Sequence, residues 1–205
     1  LTLMLVDIIG QNLFVILVAA AVICVLLGMG MPTSGVYVLL AALIAPSIIE
    51  AGVDPLAAHL FILYFGMMSM ITPPVALAAF AASAITKANP FATGVAAMRM
   101  GWAAYVVPFV FVVTPSLLFQ GDAATVAIDM TLALIGIFAV SVGVVGYFGG
   151  RLIWYLRAIS ILAGLACLPV PLIGMNINIF ATIAVAVMSI VQIFRPKTND
   201  NKGRI

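Results

Sequence analysis

The chain has 205 residues, of which 66% are hydrophobic and only 7% charged, with a mean hydropathy of +1.35. Those values lie far outside the range of a soluble globular domain and identify an integral membrane protein. A net charge of +2 carries no nucleic-acid signature, because the basic residues sit singly at segment ends and form no patch.

The chain opens on Leu1 with "LTLMLVDIIGQN", without an initiator Met or a basic region followed by a cleavage site, and reads as a piece of something longer. No Asp, Glu, Lys, Arg or His occurs from Ile8 to Ile49, yet "LLGMGMPTSGVYVLL" (Leu26 to Leu40) interrupts that run with Gly28, Gly30, Pro32, Thr33, Ser34 and Gly35. Glycine loosens a helix, proline removes a donor, and Ser and Thr compete for backbone hydrogen bonds. The apolar arms on either side, Asn12 to Gly28 and Gly35 to Ile49, are short for full spans, which need about 20 residues. A cytoplasmic turn between two spans would ordinarily carry Lys or Arg, and this one carries no charge. The pattern predicts a re-entrant hairpin over 12–49 whose tip lies within the membrane. Irregular backbone survives there only where it is buried in protein or lines a wet cavity.

The next apolar segment, Leu56 to Ile85, is too long for one span and is broken by "SMITPPVA", Ser69 to Ala76. Pro73 and Pro74 remove two successive amide donors and push Thr72 out of the helical region, freeing carbonyls around Met68 to Met70. A hairpin tip and a discontinuous helix close in sequence form the kind of arrangement at which transporters bind. Half-helix N-termini face anions, and released carbonyls with Ser and Thr hydroxyls coordinate cations. Further spans are expected at Gly101 to Phe119, Asp129 to Gly149, Leu152 to Leu168 and Asn178 to Phe194, with "LPVPLIGMNIN" turning between the last two.

Orientation follows from the tail "FRPKTNDNKGRI", whose Arg195, Lys197, Lys202 and Arg204 place residues 195–205 in the cytoplasm. Counting back puts Arg151, Arg157, Lys87 and Arg99 inside, and Asp122, Asp129, Glu50, Asp54 and Asp7 outside. Asp54 is placed to cap the helix that begins at Pro55, His59 reads as a helix-end residue at the interface, and Trp102, Tyr105, Trp154 and Tyr155 read as interface anchors. Cys24 and Cys167 share no metal-ligand or redox spacing and read as packing residues.

The stretch Gly28 to Ile85, with its "GMGMP" tip, its "GVDPLAAHLF" connection and its "TPPVALAAFAA" break, resembles the second half of the large membrane subunit of TRAP (tripartite ATP-independent periplasmic) transporters. Lys87 to Phe119 also resembles that family, especially the form in which small and large membrane subunits are fused; the apolar stretch after Gln120 suits the fused form without a motif of its own. The resemblance implies an all-α, multi-span bundle that is one half of an inverted-repeat elevator transporter: a transport part over 1–100, C-terminal spans over 101–194 and the cytoplasmic tail. It implies secondary active import of organic anions across a bacterial or archaeal inner membrane. Na⁺ is the implied coupling ion, no cofactor is needed, and a periplasmic binding protein delivers the substrate. The upstream half of the permease and a fused small subunit are the other implied partners, together with membrane lipid. Carried onto this chain, the substrate and ion site pairs Gly28, Gly30, Pro32, Thr33 and Ser34 with Ser69, Thr72, Pro73 and Pro74, and the Na⁺ candidates are Thr33, Ser34 and Thr72. The fused pattern often has an acidic residue ahead of the break where this chain has Met70, which leaves a carboxylate ligand out of the set.

Two other classes fit the composition: a structural or assembly subunit of a membrane complex, and an intramembrane hydrolase. The first does not explain two broken segments. The second requires a nucleophile with a base or paired aspartates in spans, and the chain has a single His, with its Asp residues at loops and span ends. Only one hairpin and one break occur, so a second repeat, placed before Leu1, is expected to complete the site.

Overall fold

The computed structural model describes residues 12–148, 150, 152–170, 178, 182 and 185. These residues form helices joined by turns, with no β-strand among them. Cα packing divides the chain into two compact units, Leu1–Gly121 and Asp122–Ile205.

In the first unit, α1 (Leu13–Gly28) starts where the Asn12 side chain accepts from the Phe14 amide and stops at the glycine-rich turn. Gly30 takes φ +85°, the left-handed conformation that lets the chain reverse before Pro32. The second arm begins earlier than its sequence suggests: Thr33 and Ser34 already lie in α2 (Thr33–Leu43). It then breaks at Ile44, because Pro46 in α3 (Ala45–Glu50) has no amide to give to the Ala42 carbonyl. Gly52 at φ +93° turns the chain, and Asp54 accepts from the amides of Leu56 and Ala57 to start α4 (Pro55–Met68), as its position before Pro55 predicts.

The helix resumes after the double proline as α5 (Leu77–Thr86), so the expected discontinuous helix is present. Lys87, at φ +55°, ends it, and Asn89 caps α6 (Pro90–Met100) by accepting from the Ala92 amide. A turn at Gly101 and Trp102 leads into α7 (Ala103–Val113), followed by a 3-10 turn, Pro115–Leu118. The span read over Gly101 to Phe119 therefore ends as helix at Val113; the apolar run long enough to cross a membrane is Pro90–Val113, taken through the turn. Both arms of the hairpin and α7 pack on α4, burying Leu17, Cys24, Leu40, Phe61, Ile62 and Phe111 in one core. The transport part drawn at 1–100 thus runs on past that boundary, because α7 is packed into the same unit.

In the second unit, α8 (Ala123–Val145) is the other helix long and apolar enough to cross a membrane. Asp122 caps it through the Ala124 amide. Asp129, read as the outer end of the span Asp129 to Gly149, lies inside this helix instead; the Asp122 cap starts the helix a turn and more ahead of it. The partner α9 (Trp154–Cys167) packs closely on α8, with Gly136 and Gly164 each set against the other's carbonyl oxygen. Both cysteines are free thiols and buried. The final expected span contributes only Asn178, Thr182 and Val185 to the described residues, all three helical. Asp7, Arg151 and the basic tail 195–205, on which the cytoplasmic placement of the C-terminus rests, lie outside them.

Candidate functional site

The two interruptions meet. A Cβ placed on Gly28, the last residue of α1, would stand 2.8 Å from the Ser69 Oγ and 2.8 Å from the Gly66 carbonyl oxygen. On α4 itself, a Cβ at Gly66 would stand 2.7 Å from Val36 of the second arm. Both arms of the hairpin therefore lie directly on the turn of helix that precedes the break. Helices that follow close on it in the same manner: Gly94 of α6 abuts Pro73 at 2.9 Å and Gly101 abuts Ile71 at 2.9 Å from their would-be Cβ positions. At Gly28 a near atom is a backbone oxygen, which cannot swing aside; at Gly66, Gly94 and Gly101 a neighbouring side chain would have to shift.

Within the break, the Pro73–Pro74 bond is cis and Ala76 sits buried at φ +33°. Two carbonyls beside the break, those of Met68 and Met70, are paired. Met68 O accepts from the Ile71 amide at 3.1 Å and the Thr72 hydroxyl at 2.5 Å, and Met70 O accepts from the Ala78 amide at 3.0 Å. An orphaned peptide group away from water costs several kcal/mol, which favours a loop that folds back onto its own carbonyls. The expectation of freed carbonyls around Met68 to Met70 is corrected at Met68 and Met70.

The hydroxyls are oriented by the same contacts. Ser69 is buried and donates to Gly66 O at 2.6 Å. Thr72 donates to Met68 O and also bonds the Tyr105 hydroxyl, at 2.6 Å. A hydroxyl has one hydrogen and two lone pairs, so each of these oxygens turns its hydrogen into the protein and keeps acceptor capacity. That is the polarity a cation requires. Of the tip residues, Gly28 is the one in contact with the break; Thr33 is partly exposed, Pro32, Ser34 and Gly30 are exposed, and neither hydroxyl of Thr33 or Ser34 bonds Ser69 or Thr72. Pro74 is exposed as well. Among the described residues no three His, Cys, Asp or Glu side chains gather as a metal centre.

Three features escaped the sequence. Tyr105, read as an interface anchor, lies at the break, 33 positions along the chain from its partner Thr72, and nothing local marks that pairing. His59 accepts from or donates to the Tyr37 hydroxyl at 3.1 Å, linking α2 to α4. Gly66 was legible in principle, as a glycine in an unbroken apolar helix near a double proline.

A family model for the tripartite ATP-independent periplasmic transporter, DctM component, matches residues 1–126, more than half of the chain. The chain belongs to the TRAP transporter DctM family. No curated protein and no solved structure gives a match. The TRAP match contains the whole hairpin, the break, α6 and α7, and it ends within the first turn of α8. The site described above thus lies in the part of the chain that the family defines, and that family is one of transporter membrane components, not of enzymes. TRAP large components work in general with a periplasmic binding protein and a small membrane subunit.

Proposed function

We propose that this TRAP component forms the hairpin-and-break half of the transport site of a permease that imports organic anions with Na⁺, the substrate being delivered by a periplasmic binding protein. The observation that supports the reading is the seating of the Gly28 end of the hairpin on Ser69, beside a break whose Ser69 and Thr72 hydroxyls donate into the protein and keep acceptor capacity. Arm length supports re-entrance: α1 has 16 residues, about 24 Å at 1.5 Å per residue, against a hydrocarbon core of about 30 Å, and α2 is shorter still. Glu50 and Asp54 then face the periplasm and Lys87 and Arg99 the cytoplasm, in line with the positive-inside rule. A second hairpin and break from the remainder of the permease complete the site, and a fused small subunit suits the apolar helices that follow the family match.

The test is a Na⁺ titration of the assembled transporter bearing Thr72→Val, Thr33→Val or Ser34→Ala, each of which removes an oxygen while keeping the shape close. Loss of one hydrogen-bonding ligand to a charged group costs about 1.5–3 kcal/mol, or roughly ten- to over a hundredfold in affinity. A raised Na⁺ midpoint at normal abundance supports the site. Lower abundance with an unmoved midpoint for all three assigns them to packing, and a structural subunit then becomes the better reading.

A further inference from the structure

The Thr72 hydroxyl has one hydrogen, and the Met68 carbonyl, which can only accept, takes it at 2.5 Å. The second bond of that oxygen, 2.6 Å to the Tyr105 hydroxyl, must therefore run the other way, with Tyr105 donating. The result is a directed relay from Tyr105 through Thr72 to Met68. It leaves Thr72 Oγ1 with one lone pair, and it fixes where that lone pair points. The tyrosine oxygen, its hydrogen spent on Thr72, keeps both of its own lone pairs.

The ring that carries this hydroxyl is held by α4, the helix that leads into the break. Tyr105 lies 6.5 Å from Phe65 between ring centroids, Phe65 lies 5.6 Å from Phe109, and Phe109 meets Phe61 edge-on at 5.3 Å. Gly101, one turn earlier, abuts Ile71 inside the break. The start of α7 and the turn before it are thus held against the residues that lead into Thr72, and Pro108 within α7 offers no amide to the Ala104 carbonyl next to Tyr105.

The geometry points to Tyr105 as a positioning residue of the cation site: its hydroxyl sets the rotamer of Thr72 and aims the one remaining Thr72 lone pair at the ion. This rests on the reading of Thr72 as a cation ligand. Tyr105 acts through Thr72, so removing it weakens the ion's hold without removing a ring from the core.

The experiment uses the purified assembled transporter, with its unfolding temperature titrated by NaCl against choline chloride at constant ionic strength; a cation bound only by the folded state raises that temperature in proportion to its affinity. Tyr105→Phe is expected to raise the Na⁺ midpoint roughly two- to tenfold, the effect of one neutral hydrogen bond. Thr72→Val raises it further, Thr72→Ser restores it, and the double variant Tyr105→Phe with Thr72→Val is no worse than Thr72→Val alone. An unmoved or lowered midpoint for Tyr105→Phe, beside a shift for Thr72→Val, overturns the role of Tyr105 and leaves the ion site standing. An unmoved midpoint for Thr72→Val overturns both. A double variant whose shift is the product of the two single shifts gives Tyr105 an effect independent of Thr72 and overturns the positioning role. Should Tyr105→Phe resist purification, the Na⁺ dependence of radioactive Na⁺ accumulation in membrane vesicles gives the same comparison.

Discussion

Gly28 and Ser69 touch: the Cα of the last residue of the first hairpin arm lies so close to the buried Ser69 side chain that a methyl group on it would fall 2.8 Å from Oγ. The same methyl would meet the Gly66 carbonyl oxygen at 2.8 Å, and a backbone oxygen cannot swing aside as a side chain can. Gly28→Ala is therefore expected to cost about 1–3 kcal/mol through overpacking. Gly35→Ala is the control, since nothing lies within 4 Å of its Cβ position and it sits inside α2, where alanine favours the helix by about 0.5–1 kcal/mol. Thermal unfolding of the two variants in detergent should shift in opposite directions. Equal shifts would mean that the hairpin does not rest on the break.

Sidedness is checked by cysteine labelling in a background with Cys24 and Cys167 replaced by Ala; both are buried, unpaired thiols. Glu50→Cys and Lys87→Cys, at exposed positions, should react with a large impermeant reagent only from the periplasm and only from the cytoplasm, respectively. Ser34→Cys, in the first turn of α2, should react from neither side. Ready labelling of position 34 from the cytoplasm would show two full spans joined by an inner turn.

The Tyr37–His59 bond joins the second arm to α4 apart from the break. Tyr37→Phe is expected to lower stability by about 0.5–1.5 kcal/mol, and His59→Phe by a similar amount, with the double variant costing less than their sum. A double-variant cycle on unfolding temperature measures this. Strict additivity would show that the two rings contribute separately.

In the second unit, Arg157 of α9 donates from Nε to Gly143 O at 3.0 Å and from Nη2 to Val144 O at 3.1 Å, closing the end of α8 where Gly146 turns at φ +76°. Arg157→Met keeps the stem but removes both of these donated bonds, at a cost of about 2 kcal/mol. Arg157→Lys recovers only part of it, because an ammonium is a point donor and not a fork. Proteolysis between α8 and α9 should speed up in that order, Met before Lys.

How far the fold could be read from the sequence depended on whether the cause was local. The helix break was legible because proline lacks an amide wherever it stands, and the starts of α1 and α4 were marked by Asn12 and Asp54, whereas the Asp122 cap of α8 was passed over. Asp129 misled because its charge was taken to mark the outer end of the span, whereas the cap seven positions earlier had already begun the helix. At the site, the polar tip and break announced themselves as costly residues in an apolar run. The contacts between them did not: they depend on glycine surfaces and on Tyr105, and a bare Cα or an aromatic ring looks the same in a sequence whether it faces lipid or a neighbouring backbone. The repairing of Met68 O and Met70 O was equally hidden, since it depends on the path the loop takes after Ala76.

The hairpin and the broken helix approach most closely at two glycines, Gly28 and Gly66. At position 28 the bare Cα faces the Gly66 carbonyl oxygen and the Ser69 side chain, and at position 66 it faces the side chains of Val36 and Leu40. Gly28 thus helps to cover Ser69, a residue only 2% exposed, so a movement of the tip away from α4 would uncover that hydroxyl. The seam depends on what two positions lack: a single added carbon at either would meet atoms already in place.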